Sequence, residues 1–470
     1  MSAAPAESAG ADTAGGAGRG RRDAPRHLYI HVPFCAERCD YCEFYSVPVG
    51  RAASIVGVAP SPDGSASSPD GSVSSPDGSG PSPEAAERDR LLDRFVAALL
   101  AEWEADRARY GVRRLETVFV GGGTPSLLGP ERLERLLAPL EALLTPRAEV
   151  TVETNPDDVT PAFAAWAAAR RLRVSLGVQS FDGSLREALG RRGAADPAAA
   201  FRRLREAGVG DAAQTGAAGK RAGLSAPPAA AGRRPGASAL GVDLIFGLPG
   251  QTEAELATEL AALAALGPDH VSWYELGVVP GSVLAARVAL TDAGRLGWEA
   301  PELPDDETVA AMYRRIVRDL AGLGYEWYEV SNFARPGHRC CHNSAVWRGA
   351  DYLGIGPGAV GTVAGRRRRD AAGLEAWLAA VEGGHEPPRE RETLSAETRA
   401  RERLLLAART GARVPLAELE AAIDRAALPS LAAAGLVSLS GGTLRVTRKG
   451  RYVANGVCVR LFRDSSFLEA

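Results

Sequence analysis

The sequence predicts an α/β fold: a partial, TIM-like (β/α)6 barrel followed by a smaller helical, winged-helix-like C-terminal domain. Three observations carry this expectation. Between residues 27 and 276, short apolar runs alternate six times with stretches whose apolar residues recur every three or four positions, the signature of strands alternating with helices. Such alternation implies right-handed crossovers and a parallel sheet. The cysteine, glycine and carboxylate motifs fall at the ends of these runs, where a barrel of this kind gathers its reactive groups. The final stretch changes character, to helices followed by two short strands around Ser440-Gly441-Gly442.

In chain order, residues 1–25 are small and polar, with too few large apolar side chains to offset the entropy of ordering them, so a disordered tail is expected. The run 27–34 (HLYIHVPF) reads as the first strand and leads into CAERCDYC, residues 35–42. Residues 50–83 contain SPDGSAS, SPDGSVS and SPDGS in tandem. Pro-Asp-Gly is turn chemistry and the units have nothing to bury, so this is an insertion rather than a solenoid. Over 84–110 the spacing of Leu91, Leu92, Phe95, Val96, Leu99, Leu100 and Trp103 predicts an amphipathic helix. Strands then follow at 117–122, 149–155, 174–180, 241–247 and 270–276, with helices between them at 130–144, 161–169, 197–207 and 253–266. The pattern breaks at 210–238, rich in Gly, Ala and Pro, which reads as a surface insertion before the fifth strand.

Composition bounds the function. A chain of 470 residues accommodates one large domain and a smaller one, and a net charge of -3 gives no general electrostatic reason to expect nucleic acid. Lysine occurs only at Lys220 and Lys449, which reads as coding bias rather than chemistry. No apolar run approaches the ~18 residues of a membrane span, and the N-terminus lacks the apolar core of a signal peptide. A soluble, cytoplasmic protein is therefore expected.

The densest chemistry is Cys35, Cys39 and Cys42. A CxxxCxxC loop can wrap three thiolates around one face of a [4Fe-4S] cluster and leave one iron open to a further ligand. Structural zinc would need a fourth ligand, and none stands at finger-like spacing behind Cys42. Six cysteines in so long a chain are sparse for a disulfide framework. At the next strand ends, Gly121-Gly122-Gly123-Thr124 lets backbone approach a ligand closely, and its alternative is a plain turn. Glu153 in ETNP can take an ammonium or ribose hydroxyls, or be a solvated rim carboxylate. Gln179, Arg191 and Asp243 follow the same logic, Asp243 most strongly because a carboxylate inside an apolar strand is costly unless satisfied.

Taken together, with Tyr41 before the last cysteine, the ordered set HVPFCxxxCxYC, GGGTPS, ETNP, LGVQSF and DLIFGLPGQT resembles the radical S-adenosylmethionine (SAM) superfamily. In that superfamily SAM chelates the open iron and an electron from the cluster cleaves it. Within it, the motifs resemble the branch of oxygen-independent coproporphyrinogen III oxidases and HemW-type heme chaperones, from about residue 27 to the end apart from the insertions. The resemblance implies a radical SAM barrel in which Cys35, Cys39 and Cys42 hold the cluster. Tyr29, Gly122, Gly123, Thr124, Glu153, Gln179, Arg191 and Asp243 would line the SAM site, and no catalytic residue is assigned.

The oxidases carry a further cysteine two positions after the third, where this chain has Phe44. The segments YEVSNFA (328–334) and Cys341-His342-Asn343 also resemble the chaperone pattern, although Val346 replaces the tyrosine of its HNxxYW segment. The resemblance thus implies heme as cargo and hemoprotein acceptors such as respiratory enzymes, with peripheral membrane association through them. The alternative is the enzyme, which oxidatively decarboxylates two propionates of coproporphyrinogen III. His342 is a candidate axial heme ligand, with Cys340 and Cys341 as thiolate alternatives; its other reading is a hydrogen-bonding structural residue. His27, His31 and His270 lie in strand patterns and read as structural, whereas His338 and His385 carry no signal.

The expected domains are a tail over 1–25, the barrel over 26–290, an extension over 291–365 and a C-terminal domain over 366–470. Within the last, Arg366 to Arg369 reads as a solvated turn, and helices are expected at 396–408, 415–427 and 428–434. The presumed recognition helix, PSLAAAGL, has no charge to offer phosphates, so a lid or docking surface is expected rather than a DNA-binding module. Cys458 reads as a plain buried thiol.

Overall fold

Six parallel strands form the centre of the protein in the order that the periodicity predicts. The structure, a computed structural model, describes residues 24–50, 82–210, 238–292 and 302–464. The expected tail up to residue 23 and the expected insertions over 51–81 and 211–237 lie outside the described residues. The first half runs β1 (His27–Val32), β2 (Phe34–Cys35), β3 (Val47–Pro48), α1 (Pro83–Tyr110), β4 (Leu115–Gly122), α2 (Gly129–Leu137), β5 (Leu144–Thr154), α3 (Pro161–Ala169) and β6 (Arg173–Gln179). It continues through α4 (Gly183–Ala188), α5 (Pro197–Ala207), β7 (Ala239–Phe246), α6 (Glu253–Leu266), β8 (His270–Glu275) and α7 (Val283–Asp292).

Helices α3, α5 and α6 have the predicted bounds because their ends are written locally. Thr160, Asp196 and Thr252 cap the N-termini with side-chain oxygens, and Gly208 and Gly267 adopt the left-handed conformation after α5 and α6. The helix expected over 130–144 instead ends at Leu137. A 3-10 stretch, Ala138–Leu143, follows it around Pro139, which has no N–H to continue the ladder. Inside the barrel wall, α1 buries Phe95 between Phe34 and Trp377, with ring centroids 4.8 and 5.5 Å away.

The sheet extends beyond the prediction on both sides. After α8 (Asp306–Gly322), β9 (Glu326–Glu329) and β10 (Asn332–Ala334) form an antiparallel pair, of which β10 adds antiparallel to β8. After α9 (Cys341–Trp347), β11 (Tyr352–Ile355) joins β1 in parallel, and β12 (Val360–Val363), β13 (Arg366–Asp370) and, beyond α10 (Leu374–Glu382), β14 (Arg389–Thr393) continue antiparallel. The sheet has 12 strands in all. The basic run 366–369 is therefore a strand and not a solvated turn. Arg368 turns inward to Asp106 of α1 and to the Gly354 carbonyl. The Arg389 side chain is enclosed by Glu102, Asp106 and Asp370. Charges buried in matched sets can occupy an interior that apolar periodicity does not reveal.

This moves the start of the C-terminal domain from 366 to the helix α11 (Ala396–Thr410), since residues 366–393 complete the large sheet. The domain continues through β15 (Arg413–Pro415), α12 (Leu416–Leu419), α13 (Leu428–Ala433), β16 (Val437–Ser440), β17 (Thr443–Val446), α14 (Arg448–Arg451) and α15 (Ala454–Leu461). Helix, strand, two helices and a two-stranded wing form the predicted winged-helix-like order around a core of their own, in which Cys458 is buried. The helix expected over 415–427 is reduced to α12 and one 3-10 turn, Arg425–Ala427, because Ile423 pairs with Phe462 instead.

The domain contacts strands near both ends of the large sheet. The Arg451 guanidinium lies 3.7 Å from the centre of the Trp327 ring, Arg409 pairs with Glu329 at 2.6 Å, and Glu402 pairs with Arg367. These partners belong to β9 and β13, so the domain is docked there and is not a lid over the cysteine loop. Among the described residues no helix is long and apolar enough to cross a membrane.

Candidate cofactor site at the strand ends

The cysteine loop begins where β1 runs out. Cys35 lies on β2, which pairs in parallel with β3, so the chain leaves and returns at one point; Val49 N–H donates to the Cys35 carbonyl at 2.9 Å. A turn from Cys39 to Cys42 (3.2 Å) folds the interior of the loop. Asp40 ties the loop to two other segments. Its N–H donates to the Leu189 carbonyl (3.1 Å), its carbonyl accepts from Leu284 (2.9 Å), and its carboxylate pairs with Arg287 (2.7 Å).

All three thiols are half-buried and free of disulfides. Burial pushes Cys35 up to about 11, against the pull of the Thr124 hydroxyl 3.7 Å away, and the charges of Cys42 and Cys39 raise it further. Burial also pushes Cys42 up. Thiols in this setting become thiolates only against a strong positive centre, which bound iron provides. Among the described residues no three His, Cys, Asp or Glu side chains are gathered to hold a metal ion directly. A cubane cluster asks for something different, because each thiolate ligates its own iron. The donor set fits a cluster with one iron left open.

The glycine run packs against this loop. Gly123 and Thr124 donate their N–H groups to the carbonyls of Val32 (2.8 Å) and Phe34 (2.6 Å). Gly122 has φ +120, and a Cβ there would stand 2.7 Å from the His31 ring; one on Gly123 would stand 2.5 Å from the Phe34 carbonyl oxygen and 3.0 Å from the Cys35 sulfur. No side chain fits, so glycine is what lets β4 end pressed against β1 and the cysteine loop. Gly122 N–H donates to Glu153 at 3.1 Å, linking β4 to β5.

Across the barrel the polar side chains continue from strand to strand. Ser175 of β6 lies in register with Glu153, and its hydroxyl stands 2.9 and 3.0 Å from the Asp243 carboxylate oxygens on β7. Ser272 of β8 lies beside Asp243. Burial, with Asp243 second, pushes Glu153 up to about 8; burial also raises Asp243, against its bonds to Ser272 and Ser175. Tyr29 is raised by burial and then by Glu153, and its hydroxyl contacts His31 Nδ1 at 3.0 Å. Gln179 ends β6 at φ 67, beyond a register shift after Gly177. Arg191 donates to the Gly177 carbonyl at 2.7 Å and its charge faces Tyr41 and Cys39. The structure thus brings Tyr29, Gly122, Gly123, Thr124, Glu153, Gln179, Arg191 and Asp243 to the same half of the barrel as the three cysteines. Two carboxylates and one guanidinium there can receive a ligand carrying cationic groups and a carboxylate.

His342 is not part of this constellation. Helix α9 docks at the opposite rim, where Thr117 Oγ1 lies 2.8 Å from His342 Nδ1 and 3.0 Å from His27 Nδ1. Thr117 and Gly122 are separated along β4 by roughly 16 Å at the usual strand rise. His342 is 5% exposed and packed by Phe119 and Tyr352, and burial lowers it to about 3. Here the imidazole is held by hydrogen bonding within the fold, at the rim opposite the cysteine loop. The two neighbouring thiols lie on the same rim, Cys340 buried and Cys341 exposed. Cys340 donates to Glu149 at 3.4 Å and is raised well above the usual thiol range, and burial pushes Cys341 up to about 11. His27, His31 and His270 are structural, as expected; His31 Nε2 contacts the Tyr45 carbonyl at 3.1 Å and His270 the Tyr328 hydroxyl at 2.7 Å.

The sequence reading did not find Asp40, Glu149, Ser175 or Ser272. Glu149 accepts N–H bonds from Cys341 and His342 at 3.0 Å each and faces Arg173 at 3.7 Å, both side chains buried. A carboxylate opening the strand EVTVE and an arginine opening the next were the available signal.

Residues 29–217 match the family model of the Radical SAM superfamily, and 394–453 that of the HemN C-terminal domain. A heme chaperone HemW from Mycobacterium tuberculosis is 34% identical over 436 residues, covering 92% of this chain and 94% of its own length. The heme chaperone HemW from Escherichia coli is 31% identical over 347 residues, 72% of this chain and 70% of its own. Among solved structures, coproporphyrinogen III oxidase (HemN) from Escherichia coli, a radical SAM enzyme, has a TM-score of 0.66 at 21% identity and covers 93% of this chain and 90% of its own. That likeness shows a shared fold.

Proposed function

Since this chain belongs to the heme chaperone HemW family of radical SAM proteins, we propose that it binds a [4Fe-4S] cluster, SAM and heme, and passes heme to hemoproteins. The observation that carries the reading is the whole-length likeness to a chaperone, 34% identity over 94% of that protein. Phe44, standing where the oxidases have a further cysteine, supports it. Hemoprotein acceptors in the cytoplasm or at the membrane surface complete the proposal.

Cys35, Cys39 and Cys42 would hold the cluster, which supplies a low-potential electron when bound. Around it the chain's own residues do the positioning. The glycines from Gly121 to Gly123 let β4 end close against the cysteine loop and against Glu153, which holds both beside the ligand. Glu153 and Asp243 receive its cationic groups, Arg191 its carboxylate, and the barrel wall excludes water, which strengthens each of these interactions.

A pH dependence follows. Glu153 keeps its proton up to about 8 in the unliganded protein because of burial and Asp243. A cationic ligand favours the carboxylate, so binding releases that proton. SAM affinity, measured by calorimetry, should rise by up to about tenfold per pH unit as pH approaches that value from below, then level off. Stability of the unliganded protein runs the other way. The folded state holds a proton that the unfolded chain has released, so stability falls as pH rises from 4.5 to about 8. Glu153→Gln should flatten the SAM dependence; an unchanged slope would remove Glu153 from the cation site.

The function itself is tested anaerobically. The reconstituted protein, given SAM and a reductant, is incubated in parallel with heme and with coproporphyrinogen III. Retained heme with no protoporphyrinogen is the expected result. Steady conversion to protoporphyrinogen would establish the oxidase instead.

A further inference from the structure

We propose that the heme cargo sits at the mouth of the barrel beside the cysteine loop, its face against Phe44, Tyr274, Val278 and Val283 and its propionates toward Arg38 and Arg192. The inference deepens the proposed function and rests on it. Its starting point is Phe44, two residues past Cys42, whose ring is 58% exposed although the surrounding loop is closely tied down. Val283 is 54% exposed, and Tyr274 and Val278 are exposed as well. Isolated apolar residues at a surface are ordinary, whereas a contiguous group marks a binding face.

The bonds around Asp40 bring these residues together. Val283 immediately precedes Leu284, whose N–H donates to the Asp40 carbonyl, and Arg287, one turn further along α7, pairs with the Asp40 carboxylate. Tyr41 and Leu276 pack on one small nucleus of Leu185, Leu189, Ile245 and Leu248. Phe44, three residues beyond Tyr41, and the segment on either side of Leu276 therefore border one opening. Tyr274 faces the barrel interior, where its hydroxyl senses Asp243 and Ser272.

The charge of the rim selects the ligand. Arg38 donates only to the Cys42 carbonyl (3.4 Å) and, among the described residues, pairs with no carboxylate. Arg192 is exposed and forms no hydrogen bond or ion pair among them. It follows Gly190, where a Cβ would stand 2.5 Å from the Asp40 carboxyl carbon, so this turn also lies against the loop. Neither arginine pairs with Glu37 or Glu43, the exposed carboxylates of the loop. An apolar face edged by two unpaired guanidinium groups complements a flat macrocycle with two carboxylates on one side. Aromatic stacking holds its face and charge-assisted hydrogen bonds hold its edge.

The test uses the full chain with its cluster reconstituted and SAM present, titrated with heme and with heme dimethyl ester and followed by heme absorbance. Iron content and SAM binding are checked in every variant. Phe44→Ser and Val283→Ser should each weaken both ligands roughly tenfold. The double variant Arg38→Ser/Arg192→Ser should weaken heme by about the same factor and leave the ester unchanged. Leu439→Ser, at an exposed apolar position of the C-terminal domain, should match the wild type. If the wild type retains heme and both Phe44→Ser and Val283→Ser retain it equally well, the location is overturned and the chaperone reading survives. If the wild type retains none, the chaperone reading itself falls. Equal loss of heme and ester in the arginine variant would overturn the placement of the propionates.

Discussion

Alanine at Cys35, Cys39 or Cys42 abolishes the cluster: iron retained after anaerobic reconstitution falls from about four atoms per chain to well below one. The three positions are not interchangeable with any nearby donor. Among the described residues, Cys340 and Cys458 are buried elsewhere in the fold, and Cys341 lies on α9 at the opposite rim. With two thiolates left, two irons rather than one lack a protein ligand, and burial disfavours the remaining thiolates once the positive centre is gone. SAM cleavage should disappear with the cluster. Heme retention by apolar contact at the mouth should persist in part, because Phe44 and Val283 remain. Iron content and visible absorbance, read together on each variant, check the result. Wild-type iron in Cys39→Ala would show that Cys39 is not a ligand.

Glu149→Ala should destabilise the fold by about 3–5 kcal/mol, because it leaves Arg173 as an uncompensated buried charge. The Arg173 Nη2 group already has no hydrogen-bond partner, so little is available to take over. The same carboxylate accepts the N–H groups that open α9, at Cys341 and His342. Glu149→Gln keeps an acceptor and should lose less. The double variant Glu149→Leu/Arg173→Met removes both charges and should recover most of the ion-pair share, so the remaining loss measures the cap on α9. Urea denaturation of the unliganded protein resolves these differences. A loss below about 1 kcal/mol in Glu149→Ala would mean that water reaches Arg173 and that the pair contributes little.

The same contrast between near and distant partners governs what the residues announce in advance. The six parallel strands, their helices and the cysteine loop are legible because each rests on neighbours in sequence. Period-two and period-3.6 apolar patterns mark the elements, Thr160, Asp196 and Thr252 mark helix starts, and glycines mark close approach. The gathering of Glu153, Gln179 and Asp243 on the cysteine side is legible for a related reason, since polar side chains toward the ends of apolar strands collect at one end of a parallel barrel. The strand at 366–370 is not legible, because a run of arginines becomes interior only when Asp106 and Glu102 arrive from a helix more than 250 positions earlier and Arg389 answers Asp370. Nor does the pair His342-Asn343 reveal which rim of the barrel it occupies, since its hydrogen-bond partner Thr117 is 225 positions away.

For this protein, then, the sequence by itself determined the parallel strands, their helices and the place of the cysteine loop at a strand end, since local periodicity and strand polarity set all of these. Only the tertiary structure decided that His342 is buried against Thr117, that the C-terminal domain reaches both β9 and β13, and that Asp40 ties the cysteine loop to the segments at Leu189 and Leu284. Long-range neutralisation of charge and convergence of loops depend on partners that no short stretch of sequence contains.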